Sequence, residues 1–240
     1  VCRRGIQECP CVRHRTFCRR LAALVLTLAV AVSAVLPVFA VYPMPIQTAT
    51  ETEAVYLFNA DTGKTLLTQN ADQPRYVASL TKMMTALLLL ESGKELNGEV
   101  TVPTDLTQEF KDIQNANGTT MGLRIGETVR RIDLLNALLI TSANDAASVI
   151  AWDVGGSLNA FIQQMNARAA ELGCTSATFT CAHGLYDYGN VASAEDMAKI
   201  AAACAANETF AQVAGSTTYT LGQTNFHSEQ RTISSSNPLM

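Results

Sequence analysis

The sequence predicts a mixed α/β (α+β) domain, because strand-like segments stand at both ends of its body and helical segments fill the middle. Two alternating apolar runs flank Asp61-Thr62-Gly63, the pattern of a β-hairpin with a glycine-containing turn. The stretch "MMTALLLL" after Ser79 is apolar all round, the mark of a helix at the buried centre of a domain. Near the other end, "STTYTLG" returns to strand character. With 240 residues, 48% of them hydrophobic, the chain can bury a sizeable core.

The chain opens on a basic segment. Six arginines and one acid, Glu8, give residues 1–40 a charge of +5 against −4 overall, which leaves −9 on the rest. An acidic body without a basic stripe argues against nucleic acid as a partner. Arg19-Arg20 precede "LAALVLTLAVAVSAVLPVFA", an n-region followed by an apolar h-region, with small residues that offer cleavage near Ala34 or Ala40. The run also reaches the ~20 residues of a membrane-spanning helix. Residues 1–40 are therefore expected to be a signal peptide or membrane anchor, residues 41–53 a Pro- and Thr-rich linker, and residues 54–240 an exported domain. Four cysteines (Cys2, Cys9, Cys11, Cys18) fall in the leader. Cys174, Cys181 and Cys204 remain, and an odd count makes no disulfide framework. Buried free thiols are expected, with a Cys174–Cys181 pair as the alternative. No Cys/His spacing resembles a zinc site, and neither His183 nor His227 has a ligand partner nearby in sequence.

The remaining elements follow in order. Strands are expected at about 54–59 and 64–69, a helix from near Ser79, and a short strand near 99–102. "MGLRIGETVR" reads as loop with short extended pieces. "RIDLLNALLI" is helical, "TSAN" breaks it, and "DAASVIAWDV" resumes it, with Asp145 expected as its cap and Trp152 in the core. The helix "LNAFIQQMNARAAEL" has Ser157 to cap its start and Gly173 to end it. "SATFT" is expected as a strand, and "AEDMAKIAAACAAN" as a helix capped by Ser193 with acids in its first turn.

Two short patterns point to chemistry. In Ser79-Leu80-Thr81-Lys82, three residues on a helix place two side chains on neighbouring turns of one face. A serine hydroxyl is a poor nucleophile until a base takes its proton. A lysine enclosed by apolar neighbours loses hydration, which lowers its pKa and makes the neutral amine accessible. Backbone N–H groups at the helix start can stabilise an oxyanion. Read alone, the same residues also describe an N-cap and a solvated lysine. The second pattern is Ser142-Ala143-Asn144, in a break between two apolar helical segments where side chains can face a cleft. Ser157-Leu158-Asn159 and Ser235-Ser236-Asn237 share its spacing but read as a helix cap and a polar loop.

"SLTK" followed by "TSANDAA" in an exported chain resembles the penicillin-recognising serine enzymes. The closer resemblance is to low-molecular-mass penicillin-binding proteins, the serine-type D-alanyl-D-alanine carboxypeptidases of peptidase family S11. It extends through "AVYLFNADTGKTLLTQNADQPRYVASLTKMMTALL", "MGLRIGETVRRIDLLNALLITSANDAA" and "MNARAAELGCTSATFTCAHGLYDYGNVASAEDMAKIA". The resemblance implies a β-lactamase/transpeptidase-like fold, with a central antiparallel sheet beside a helical subdomain. It implies Ser79 as acyl-enzyme nucleophile, Lys82 as general base, Ser142 as proton relay, and Asn144 as a group that binds substrate amide or holds Lys82. The implied substrate is a peptidoglycan stem peptide ending in D-Ala-D-Ala, with β-lactams acylating Ser79, at the outer face of the cytoplasmic membrane or in the wall. No metal or organic cofactor is implied. His183-Gly184-Leu185 matches the family pattern but reads as a turn with a satisfied histidine.

The family's third motif, Lys-Thr-Gly or Lys-Ser-Gly on an inner strand, does not occur after Asn144. The expectation is a chain truncated before that strand, with an incomplete sheet, any C-terminal domain or membrane anchor missing from it, and poor or no activity by itself. Two other functions compete. A class A-like β-lactamase would carry aspartate where this chain has Ala143, and an E-x-x-L-N segment that it lacks. A non-catalytic peptidoglycan-binding or penicillin-sensing domain would keep the pocket without turnover.

Overall fold

A computed structural model describes residues 52–185 and 187–235. The leader, its four cysteines, most of the linker and Ser236-Asn237 lie outside the described residues. Among the described residues no helix is long and apolar enough to cross a membrane.

Strands β1 (Val55–Phe58) and β2 (Thr65–Gln69) form the expected antiparallel hairpin, with Val55 opposite Gln69. Its turn needs glycine: Gly63 takes φ +66° while its N–H bonds the Asn59 carbonyl at 2.8 Å. Strand β3 (Arg75–Tyr76) leads into a single 3-10 turn over Ala78–Leu80 and then helix α1 (Thr81–Glu91). Next come β4 (Glu99–Thr101), α2 (Thr107–Asn115) and β5 (Thr128–Arg130), with β4 and β5 paired antiparallel. Three helices follow: α3 (Arg131–Ile140), α4 (Asn144–Gly155) and α5 (Leu158–Glu171). Strand β6 (Val191–Ala192) returns to pair with β3. Helices α6 (Ala194–Ala205) and α7 (Glu208–Ala214) then precede a second hairpin, β7 (Thr218–Leu221) with β8 (Arg231–Ser234). All four pairings are antiparallel, and among the described residues they remain separate two-stranded sheets.

Helix α1 is the centre of the core, as its lack of a polar face requires. Met84, Leu87 and Leu89 are buried together with Leu134, Leu135 and Leu138 of α3, Phe161 and Met165 of α5, and Ile200 of α6. Full burial of each such side chain stabilises by about 1.5–3 kcal/mol. The core-facing residues of α4 include Ala146, Ala147 and Ala151, small enough to let neighbouring backbones approach closely. Helix starts follow the sequence signals. Ser157 accepts the Ala160 N–H at 3.2 Å and Ser193 accepts the Asp196 N–H at 3.1 Å. Gly173 follows α5 with φ +75°.

Some expectations require correction. "SATFT" makes only an isolated bridge, Thr178 to Val191. The reason is that side chains take the backbone N–H groups that would extend the ladder: Asp196 Oδ2 accepts from Ser176 at 2.8 Å and Asn190 Oδ1 accepts from Thr180 at 3.3 Å. Asp145 does not cap α4, whose cap residue is Ala143. Its carboxylate reaches across to the Met121, Gly122 and Leu123 N–H groups, each at 3.0 Å, and so pins the loop before β5. Burial holds the Asp145 pKa above the usual carboxylate value, against four backbone N–H donors that lower it. Trp152 is only partly buried and packs against the edge of the core. Helices α2 and α7 and strands β3, β6 and β8 were not anticipated.

Candidate active site

Ser79 sits in the 3-10 turn that opens α1, exposed to solvent. No side chain caps this turn or the helix after it, so the N-cap reading of Ser79 is not the one realised. The turn is tight, with Ala78 at φ +46°. Gly184, at φ +78°, lies so close that a Cβ there would overlap the Ala78 carbonyl. Three successive carbonyls of the 182–184 segment hold this region. Ala182 O accepts from Thr85 Oγ1 at 2.6 Å, His183 O from Lys82 Nζ at 2.6 Å, and Gly184 O from Tyr76 Oη at 3.0 Å.

Lys82 projects from the first turn of α1 and is 3% exposed. Its Nζ lies 2.6 Å from His183 O, 2.8 Å from Asn144 Oδ1 and 3.3 Å from Ser79 Oγ. Burial lowers its pKa from 10.5 to about 8, against a smaller opposing contribution from Cys181. The three partners are chemically unequal. Two are carbonyl oxygens, which only accept; the third is a hydroxyl, which can also donate. A neutral amine has two N–H bonds and one lone pair. When both carbonyls take the N–H bonds, the lone pair is left facing Ser79 Oγ. The site therefore presents a buried amine, with lowered proton affinity, to the one group that has a proton to give.

Asn144 is the first residue of α4 and is also buried. Its Oδ1 accepts from Lys82, while its Nδ2 donates to Thr119 O at 2.9 Å, and its own N–H reaches the same carbonyl at 2.8 Å. Both ends of the amide are occupied, which favours the lysine-holding role over substrate contact. Ser142 lies two residues earlier, half-buried, with φ +58°. Among the described residues no hydrogen bond joins Ser142 Oγ to Ser79 or Lys82. The structure thus joins Ser79, Lys82 and Asn144 in one hydrogen-bonded cluster and leaves Ser142 beside it.

The sequence reading missed the His183 carbonyl as a partner of Lys82. The histidine ring is satisfied, as expected: Nε2 lies 3.0 Å from Glu109 Oε1, and Nδ1 accepts the Leu185 N–H at 3.0 Å. The only signal for its second role was its place in "HGL", where a glycine allows the close approach to Ala78. Cys174, Cys181 and Cys204 are free thiols. Burial pushes Cys174 up to about 11 and Cys204 up to about 12. Among the described residues no group of three or more His, Cys, Asp and Glu is placed to hold a metal ion.

Comparison with known proteins identifies the family. The family model for D-alanyl-D-alanine carboxypeptidase, Peptidase_S11, matches residues 43–238. D-alanyl-D-alanine carboxypeptidase DacF of Bacillus subtilis is 33% identical over 153 residues, which are 64% of this chain and 39% of that protein. A D-alanyl-D-alanine endopeptidase of Pseudomonas aeruginosa is 32% identical over 175 residues, 73% of this chain and 54% of that one. The chain therefore spans from about two fifths to a little over half of these relatives' length. The crystal structure of the Streptomyces K15 DD-transpeptidase superposes with a TM-score of 0.70 at 31% identity, covering 77% of this chain and 73% of that one. With most of its length matched by the family model, and with a serine–lysine pair at the start of its central helix, the chain belongs to the D-alanyl-D-alanine carboxypeptidase family, peptidase family S11.

Proposed function

We propose that Ser79 is the acyl-enzyme nucleophile of a serine-type D-alanyl-D-alanine carboxypeptidase. This enzyme removes the terminal D-alanine from peptidoglycan stem peptides and is acylated at the same serine by β-lactams. The observation that carries the reading is the Lys82 amine, buried and held by two carbonyls with Ser79 Oγ as its third partner. In the reaction, Lys82 Nζ accepts the Ser79 proton as Oγ attacks the carbonyl of the penultimate D-alanine. The tetrahedral oxyanion forms beside Ser79, at the turn that opens α1, where a nearby backbone N–H can stabilise it. Collapse of the intermediate expels D-alanine, which takes a proton relayed through Ser142. Water then hydrolyses the ester and returns the hydroxyl to Ser79. The scheme uses no metal or organic cofactor. The leader-like segment at residues 1–40 supports an exported protein, working at the outer face of the cytoplasmic membrane or in the wall, where stem peptides are found.

The reading is tested by incubating the complete protein with an N-acylated peptide ending in D-Ala-D-Ala and measuring free D-alanine. Release that disappears in Ser79→Ala is the expected result. Saturable peptide binding with no release would instead make this a binding or penicillin-sensing domain.

A further inference from the structure

Two carbonyl oxygens hold Lys82, and they belong to segments far apart in the chain: His183 O, and Asn144 Oδ1 at the start of α4. One side chain touches the supports of both. Glu109, half-buried on α2, places Oε1 3.0 Å from His183 Nε2 and 2.9 Å from Ser148 Oγ. The Leu185 N–H occupies His183 Nδ1, so the ring proton on Nε2 points to Glu109. Ser148 lies one turn after Asn144 on α4, fully buried, and its hydroxyl also lies 3.3 Å from the Asn144 carbonyl. The hydrogen bond with His183 is the main influence holding the Glu109 carboxyl below its ordinary pKa, so it is ionised and accepts from both neighbours.

We propose that Glu109 is a positioning residue for Lys82, acting through His183 on one side and through Ser148 and α4 on the other. The inference rests on the carboxypeptidase reading of Ser79 and Lys82. Its physical content is a distance between two supports. The Lys82 lone pair faces Ser79 only while both carbonyls take its N–H bonds, and Glu109 is the group that ties the two carbonyl-bearing segments together. Without that tie, the His183 segment and the start of α4 can move apart. Either carbonyl then leaves Nζ, and the amine turns from the serine. Misplacement by about 1 Å at a reacting pair costs on the order of 10² in rate. The role needs an acceptor at Oε1 and does not need a charge.

The test compares Glu109→Ala and Glu109→Gln in the complete protein, with acylation by a fluorescent penicillin followed to saturation. Glu109 borders an open cavity of about 400 Å³, so truncation leaves no sealed void in the core. The expected result for E109A is an acylation rate constant lowered by about 10- to 100-fold, with the concentration for half-saturation unchanged and full labelling at the end. E109Q keeps an acceptor for both partners and should stay within about threefold of the parent. A purely structural role would lower the fraction of protein that labels and leave the rate of the folded fraction intact. E109A labelling at the parent rate overturns the proposal, as does E109Q labelling as slowly as E109A. A parent protein that is not acylated at all overturns the function assigned to Ser79, and this inference with it.

Discussion

Replacing Lys82 with alanine should reduce penicillin acylation of the complete protein by about 10³- to 10⁴-fold, the upper range for loss of a positioned general base. Lys82→Arg should fail nearly as badly. A guanidinium stays protonated throughout the accessible pH range, and its planar fork does not fit between two converging carbonyls. The pH dependence follows from the same geometry. Only the neutral amine can take the serine proton, and burial brings its pKa down to about 8. At pH 7 roughly a tenth of the molecules then hold the base form. The acylation rate should rise about tenfold per pH unit well below pH 8 and level off above it. A rate independent of pH between 6 and 9, or a Lys82→Ala protein acylated like the parent, would remove Lys82 from the role of base.

Asn144→Ala should lower the acylation rate on the order of 10². The substitution removes the 2.8 Å acceptor from Lys82 and the 2.9 Å bond to Thr119 O. The sign of the accompanying pH shift separates two roles. A carbonyl that accepts from the ammonium favours the charged form, so its loss should lower the Lys82 pKa further. The midpoint of the pH–rate curve would then move below about 8 while the plateau drops. Were Asn144 only a substrate-binding group, half-saturation would weaken and the midpoint would stay. Stopped-flow acylation across pH distinguishes these outcomes in one series.

The parts legible in the sequence were those written locally. The hairpin around Gly63 needs one residue with positive φ between two alternating runs, and it formed where that pattern stood. Caps at Ser157 and Ser193 reach only three residues along the chain. Ser79 and Lys82 lie on adjacent turns, so their proximity was also a local property. What could not be read depends on long-range contacts. A two-residue pairing such as β3 with β6 joins segments more than a hundred residues apart and has no pattern of its own. Asp145 stands in the first turn of α4, where the sequence suggests a cap, yet its carboxylate serves the 121–123 loop. The partner of Lys82 that sequence reasoning missed is a backbone carbonyl, which every residue possesses; only the fold selects His183. Glu109 was overlooked for a related reason: one carboxylate on a short polar helix has no meaning until His183 and Ser148 converge on it.

The central claim is that Ser79 becomes the acylated residue. The most direct measurement is to treat the complete protein with benzylpenicillin, digest it, and locate the adduct by mass spectrometry. One penicilloyl group on the peptide containing Ser79, absent from Ser79→Ala, is the predicted result. An adduct on any other residue, or none on a folded protein, would contradict the account.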